Sequence, residues 1–512
     1  MKRTFLVLLA LVLLTTAIPF AAFAEEEQYT YTMAMYNFGP IDDDAVMVKY
    51  WNEKYGVKFQ PLNIEQSSIA ETINLMVANG ETPDILQQID ANAYYEQGII
   101  GGWSEEFFRE NAPLTAAYLD ENAPQSWAYA KYDGVNMYSI PGLNLELSYP
   151  KVFIWRTDWL EALGYDEIPE TLEDVEEAFY KIAKEDPDGN GIDDTYALSN
   201  TALAAIYGAF GFQREIWLEN GDGTVTYGDV MPGAKDALEL LNKWYEDGVL
   251  DPEFASGENQ GGYWAITHSF LNGRIGTSAM GNFYHWVDCT GYENCTWIGR
   301  MAEAIRDSGQ DIKFAPGHAP IGENDVCGMP QPDMISLRTH FSKTLVDDTE
   351  RFARLLQIID DMMMKLENCA MAALGIPGET YEIIEWEGAQ VVNMLAENNT
   401  SAINPMGAGG WFMFSEEYTL EFQNIVYGYE FKWVEDNMAE YTDGYANAIF
   451  GALPSDSKYS TECTKILNEG YIAIITGEKP IEYFDEMVAA WYAAGGDVLT
   501  EEANAKYAEI KG

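Results

Sequence analysis

The run Asp186-Pro187-Asp188-Gly189-Asn190-Gly191-Ile192-Asp193-Asp194-Thr195 sets oxygen-bearing side chains at loop positions 1, 3, 5 and 9, with glycine at position 6. That spacing matches most of an EF-hand calcium loop, in which alternate residues turn inward onto a hard cation and a backbone carbonyl serves at position 7. Asp186, Asp188, Asn190 and Asp194 are therefore candidate side-chain ligands for Ca2+, and Ile192 a candidate carbonyl ligand. Gly191 allows the sharp turn that a residue with a Cβ resists. Position 12 is Ala197 instead of a bidentate glutamate, so the remaining ligand must come from Thr195, from water or from elsewhere in the fold. The competing reading is an acidic, glycine-rich surface turn without metal. With one loop only, any metal is a structural clip more than a sensor.

The elements around this loop alternate strand and helix. Tyr29 to Phe38 has strand-like alternation and ends in the loop signal Asn37-Phe38-Gly39-Pro40. Helical spacing over Asp43 to Tyr55, a strand over Val57 to Leu62, a helix around Ile69 to Ala78 and a short apolar strand over Asp84 to Ile89 follow. This order predicts a parallel sheet with helices on its faces. Ligands of such sheets sit beyond the carboxyl ends of strands, which singles out Tyr36, Asn37, Gln88 and Asp90. A strand over Val152 to Arg156 makes Arg156 a further strand-end candidate, although an ion-pair role fits it equally. Thr171, with Asp174 three residues on, caps a helix over Leu172 to Lys184 that runs directly into the acidic loop. Farther on, Ala234 to Asp247, Thr349 to Leu366 and Pro480 to Ala494 read as helices. Gly273 to Gly281 reads as a strand, and Phe314 to Asp325 as a crossover.

Composition bounds the function class. Formal charge is −54, which opposes binding to nucleic acid or to anionic membranes. Apolar residues make up 47% and aromatics 13%, so the charge does not signal disorder. Lys2 and Arg3, the apolar stretch Phe5 to Leu14 and Ala22-Phe23-Ala24 read as a secretory leader over residues 1–24, cleaved after Ala24. No cysteine lies there to carry a lipid, and no later apolar run is long enough to span a membrane. The expected product is exported, periplasmic or extracellular, and too long for one hydrophobic core. Cys289 and Cys295 can bridge, whereas Cys327, Cys369 and Cys463 read as dispersed thiols. The four histidines are far apart in sequence, which gives a zinc site little support.

Seven segments, in order, resemble the extracellular solute-binding proteins of bacterial ABC importers. They are Gly80 to Ile85 (GETPDI), Asp133 to Pro141 (DGVNMYSIP), Arg156 to Leu160 (RTDWL), the acidic loop with its Asp-Thr ending, Tyr245 to Phe254 (YEDGVLDPEF), Leu374 to Tyr381 (LGIPGETY) and Thr476 to Asp497. The similarity is to the large, calcium-containing branch that includes binders of alginate and pectin oligosaccharides. It implies a two-lobed α/β periplasmic-binding-protein fold of type II with the ligand cleft between the lobes. It also implies a membrane permease as partner, a monomeric chain and no catalysis. By the same analogy lobe one takes residues 25–150 and 314–373, and lobe two takes residues 151–313 and 374–512. Many relatives carry a lipid anchor; its absence here implies confinement by an outer membrane.

A sugar presents hydroxyls in its ring plane and C–H faces above and below, so its binder needs flat aromatic platforms and planar polar side chains. Trp264 in a Gly261-Gly262 loop, Tyr284 and Trp286 near Asn282, and Trp411 after Gly407, Gly409 and Gly410 are the candidate platforms. Each of them can equally be core. With only 29 basic residues in the chain, a neutral oligosaccharide is favoured over a uronic one, which would need paired Arg and Lys. No GxSxG or HExxH motif supports hydrolysis. A peptide or other solute, or a secreted glycan-binding module without a transporter, remain the alternative readings.

Overall fold

The computed structural model describes residues 28–37, 39–256, 258, 266–295, 297–395, 403–415, 419–439, 441 and 443–511. The leader over residues 1–24 and Trp264 lie outside the described residues.

Two separate sheets organise the chain. In the first, β1 (Thr30–Ala34), β2 (Lys58–Pro61) and β3 (Ile85–Leu86) are parallel, with Thr30 opposite Lys58 and Met33 opposite Ile85. β4 (Ser139–Leu143) lies in the same sheet, after which the chain passes to β5 (Phe153–Arg156) in the second sheet. β6 (Trp217–Glu219) and β7 (Val225–Tyr227) form a hairpin. β8 (Thr277–Ser278) and β9 (Phe314–Gly317) flank β5 antiparallel, giving the order β8-β5-β9. β10 (Met329–Pro330) precedes β11 (Ile335–Phe341), which runs antiparallel between β3 and β4 and completes the order β2-β1-β3-β11-β4. β12 (Tyr381–Trp386) and β13 (Ala389–Met394) form a second hairpin, and β14 (Gly444–Tyr445) pairs parallel with β10.

Successive strand residues point to opposite faces, and each sheet buries both. Tyr31, Met33 and Ile85 enter one core, while Ala34 and Leu86 join Ile64, Ile69 and Ile73 in another. Phe153 and Trp155 pack inward with Phe179, Leu241 and Trp244, whereas Val152 and Ile154 face Phe270, Phe283 and Trp286. The helix Leu172–Lys184 keeps the expected limits. Thr171 Oγ1 accepts from Asp174 N at 3.2 Å, and Val175, Phe179 and Ile182 are buried at helical spacing.

The packing moves two lobe limits. Phe314–Gly317 pairs with β5, so the return crossing falls between Gly317 and Ile335, later than residue 314. Tyr381, Val392, Trp411, Phe412, Phe414 and Phe422 share the core of the first sheet, and Tyr429, Trp433 and Met438 pack on the second. The last crossing thus lies near residues 425–429, not 374, and helices Asp456–Ile475 and Asp497–Lys511 complete the second lobe. Cys289 and Cys295 are disulfide-bonded, with Cα atoms 5.9 Å apart. Among the described residues no helix is long and apolar enough to cross a membrane.

Candidate functional site

The acidic loop folds around Asn190. Its backbone N–H donates to Asp186 Oδ1 and Asp188 Oδ1, each at 3.2 Å, and its Nδ2 donates to Asp188 Oδ2 at 2.8 Å and Asp194 Oδ1 at 3.2 Å. Gly191 N donates to Asp186 Oδ2 at 2.9 Å, and Ile192 N to Asn190 Oδ1 at 2.6 Å. Gly191 adopts φ 81°, the left-handed conformation the spacing required of it. Burial, and then the charges of Asp186 and Asp194, push the Asp188 carboxyl above its ordinary range. Among the described residues no lysine or arginine pairs with these three carboxylates. The arrangement is an all-oxygen donor set whose repulsion is relieved only by amide hydrogens, which suits a hard divalent cation. Thr195 is buried, and its hydroxyl donates to Ile182 O at 2.8 Å, so that side chain ties the loop to the preceding helix and is not offered to an ion.

At the carboxyl edge of the first sheet a network of side-chain amides joins five chain segments. Tyr36 N donates to Gln87 Oε1 at 2.9 Å, and Gln87 Nε2 donates to Thr339 Oγ1 and Met413 O, both at 2.7 Å. Thr339 Oγ1 in turn donates to Phe414 O at 2.7 Å. Asn37 N donates to Gln66 Oε1 at 3.2 Å, and Asn37 Nδ2 donates to Met35 O and Ile64 O. Gln66 Nε2 donates to the exposed Gln88, which holds left-handed φ of 55°. Gly410 closes this edge, because a Cβ there would sit 2.2 Å from Tyr36 O.

Tyr36, Asn37, Gln88 and Trp411 are thus brought to one edge, but only Gln88 is exposed and Tyr36 half-buried. Asn37 is 2% exposed with its amide spent on the backbone, and Trp411 is fully buried in the first core. Of the glycines before Trp411, Gly410 serves the close approach to the Tyr36 backbone, whereas Gly407 faces Val48, Ala45 and Ile41. Asp90 accepts from Ala93 N at 3.1 Å and caps the helix Ala91–Glu96. Sequence reading passed over Gln66 and Gln87; the pair Gln87-Gln88 at a strand end was the available signal.

In the second lobe Arg156 is buried, paired with Asp158 at 2.5 Å and stacked over Trp159 at 4.6 Å. Trp286 is fully buried, with Nε1 donating to Met280 O at 2.9 Å. Asn282 Nδ2 donates to the Tyr284 hydroxyl at 2.9 Å, and Asn282 N donates to His285 Nδ1 at 3.0 Å. Burial, then the charges of Arg300 and Lys151, hold the His285 pKa down to about 3, so the ring stays neutral and can accept. Beside this loop lies a residue that sequence reading missed. Buried Glu258 accepts from Thr201 Oγ1, from Thr267 Oγ1 at 2.6 Å and from Ser278 Oγ at 2.8 Å. Burial raises its carboxyl pKa against these three hydroxyls. No motif marks Glu258, because its partners are dispersed in sequence.

Comparison with known proteins agrees with this architecture. The chain is 26% identical over 481 residues to Lipoprotein LipO of Bacillus subtilis (strain 168), covering 90% of this chain and 88% of LipO. The S. pneumoniae ABC-transporter substrate-binding protein FusA, an EF-hand mutant in complex with fructo-nystose, superposes with a TM-score of 0.67 at 14% identity, over 95% of this chain and 99% of FusA. Alginate-binding protein AlgQ2 without calcium ion superposes with a TM-score of 0.60 at 14% identity, over 94% of this chain and 99% of AlgQ2. These likenesses give the two-lobed α/β fold. Residues 46–316, more than half of the chain, match the profile of the bacterial extracellular solute-binding proteins, and the chain belongs to that family.

Proposed function

We propose that this protein is the extracytoplasmic binding component of an ABC importer, which captures an oligosaccharide by closing two lobes and delivers it unaltered to a membrane permease. The observation that carries this reading is the pair of α/β sheets joined by repeated chain crossings in a member of the solute-binding family. Solved relatives of the same fold hold sugars, FusA with fructo-nystose among them. In this reading the cleft runs along the carboxyl edges of the strands, with exposed Gln88 and half-buried Tyr36 as candidate contacts from the first lobe and half-buried Asn282 from the second, whereas Tyr284 is buried in the second core. Planar amides there suit vicinal hydroxyls, and a neutral sugar is favoured because only 29 basic residues stand against 83 acidic ones in the chain. Asp186, Asp188, Asn190 and Asp194, with the Ile192 carbonyl, hold a structural Ca2+; turning the Asn190 amide over presents its oxygen to the ion. Residues 1–24 act as a cleaved leader, which delivers a monomer to the periplasm or exterior.

A thermal-shift screen of the processed protein against neutral and acidic oligosaccharides tests this. Binding to the folded state raises the midpoint by mass action. One sugar giving a saturable shift without being cleaved supports the reading; shifts from peptides alone, or cleavage of the sugar, overturn it.

A further inference from the structure

Outside the proposed cleft and the acidic loop, one cluster joins the crossing between β9 and β11 to the segment that leads into β14. His318 directly follows β9, Cys327 precedes β10 and Asp443 precedes β14. Met329 N donates to Asp443 O at 3.0 Å and Gln331 N to Tyr445 O at 3.0 Å, so the β10–β14 ladder fixes Cys327 and Asp443 together. His318 Nε2 lies 3.6 Å from Asp443 Oδ2, Cys327 Sγ lies 3.5 Å from the same oxygen, and all three ligand atoms fall within 4.8 Å of one another.

Those separations have a chemical meaning. With zinc bonds of about 2.0–2.1 Å to nitrogen and oxygen and about 2.3 Å to sulfur, the edges of a tetrahedron around the ion are about 3.3–3.6 Å long. The histidine is already oriented. Its Nδ1 is 2.6 Å from Ala319 O, and a proton donated there leaves the Nε2 lone pair facing Asp443. Three electron-pair donors therefore converge, and among the described residues no lysine or arginine pairs with Asp443 to neutralise it. Lys151 shares a cavity of about 10 Å³ with His318 and Asp443. That volume holds about one water.

We propose that His318 Nε2, Cys327 Sγ and an Asp443 oxygen form a site for one borderline divalent transition metal, zinc being the representative, with water as the fourth ligand. The thiol releases its proton to solvent as the sulfur binds. Nitrogen and sulfur donors exclude Ca2+ in favour of such ions, so the site is chemically distinct from the all-oxygen loop. Because His318 and Cys327 lie on the crossing between β9 and β11 and Asp443 on the segment leading into β14, an ion bound there clips that crossing to the second lobe.

The test uses metal-free full protein resaturated with Ca2+, then titrated with Co2+ as a spectroscopic stand-in for zinc. One equivalent is expected to give strong visible bands of tetrahedral cobalt and a near-ultraviolet thiolate charge-transfer band. Cys327→Ser is expected to abolish the charge-transfer band, and His318→Gln and Asp443→Asn to weaken binding about tenfold or more. Zn2+ is expected to raise the melting midpoint of the Ca2+-saturated wild type and not of Asp443→Asn, whose exposed position keeps the variant folded. A cobalt spectrum unchanged by Cys327→Ser, displacement of Co2+ by millimolar Ca2+, or an equal zinc shift in Asp443→Asn overturns the proposal.

Discussion

Asn190 shows how a residue pattern becomes a site. Its amide contacts Asp188 and Asp194 while its backbone meets Asp186 and Asp188, so one side chain gathers the acids that the spacing placed in register. Asp188→Asn reduces both the ligand charge and the mutual repulsion. We expect it to remove most of the calcium-dependent rise in melting midpoint while leaving the calcium-free midpoint equal or higher. Calorimetry with and without chelator reads both; at 100-fold excess over Kd the lost linkage is about 2.7 kcal/mol. Gln87 behaves differently, because nothing local in the sequence reveals its burial. Its amide answers a backbone N–H, a hydroxyl and a carbonyl from three segments. Gln87→Leu strands these groups at a cost of about 1–3 kcal/mol each in the worst case, and a lowered denaturation midpoint is the expected result. Arg156 is open between two roles in the sequence. A charged residue at a strand end fits ligand binding and ion pairing equally, and the pairing with Asp158 two residues on, under the cover of Trp159 and the distant Phe270, decides for the ion pair.

At the scale of elements, amphipathic helices were legible and chain crossings were not. The Leu172–Lys184 helix has both a cap and a clean apolar stripe, so its limits follow from local chemistry. β3 is only two residues long, within a longer apolar run, because its partners on either side overlap it only at Ile85 and Leu86. The segment at Phe314 reads as a crossover from its Pro and Gly content, yet it pairs with β5 through four residues, a long-range choice that composition does not encode. The helix Gly428–Met438 adds a consequence of burial. Desolvation pushes the Glu430 carboxyl up to about 8, above its value in the unfolded chain. The folded state therefore binds the proton more tightly, and this contribution to stability is present at low pH and lost as pH rises through about 8. Glu430→Gln is expected to raise the melting midpoint at pH 8 to 9 and to change it little at pH 5. Scanning calorimetry across that range decides it, and a uniform shift at all pH values contradicts the argument.

The whole molecule sets an edge of side-chain amides in one lobe and a loop pinned by Glu258 in the other, connected by segments that pair with one another through Asn144 N to Met334 O and Lys151 N to Pro330 O. On the proposed reading, hinge closure is the response to a ligand that touches both edges. The free-energy gain comes from differential affinity for the closed form, so a ligand binding one lobe alone does not shift the equilibrium. Gly410 offers a way to separate these cases. It lies within the first lobe, where a Cβ would meet Tyr36 O at 2.2 Å, so Gly410→Ala distorts that edge without touching the hinge. The wild type is expected to lose radius of gyration in small-angle scattering as oligosaccharide saturates it. Gly410→Ala is expected to bind more weakly, yet to reach the same compact state at saturation. Saturable binding with an unchanged radius in the wild type would instead describe a rigid glycan-binding surface. Compaction of the wild type but none in a saturated Gly410→Ala would place the hinge, and not the sheet edge, under the control of that glycine.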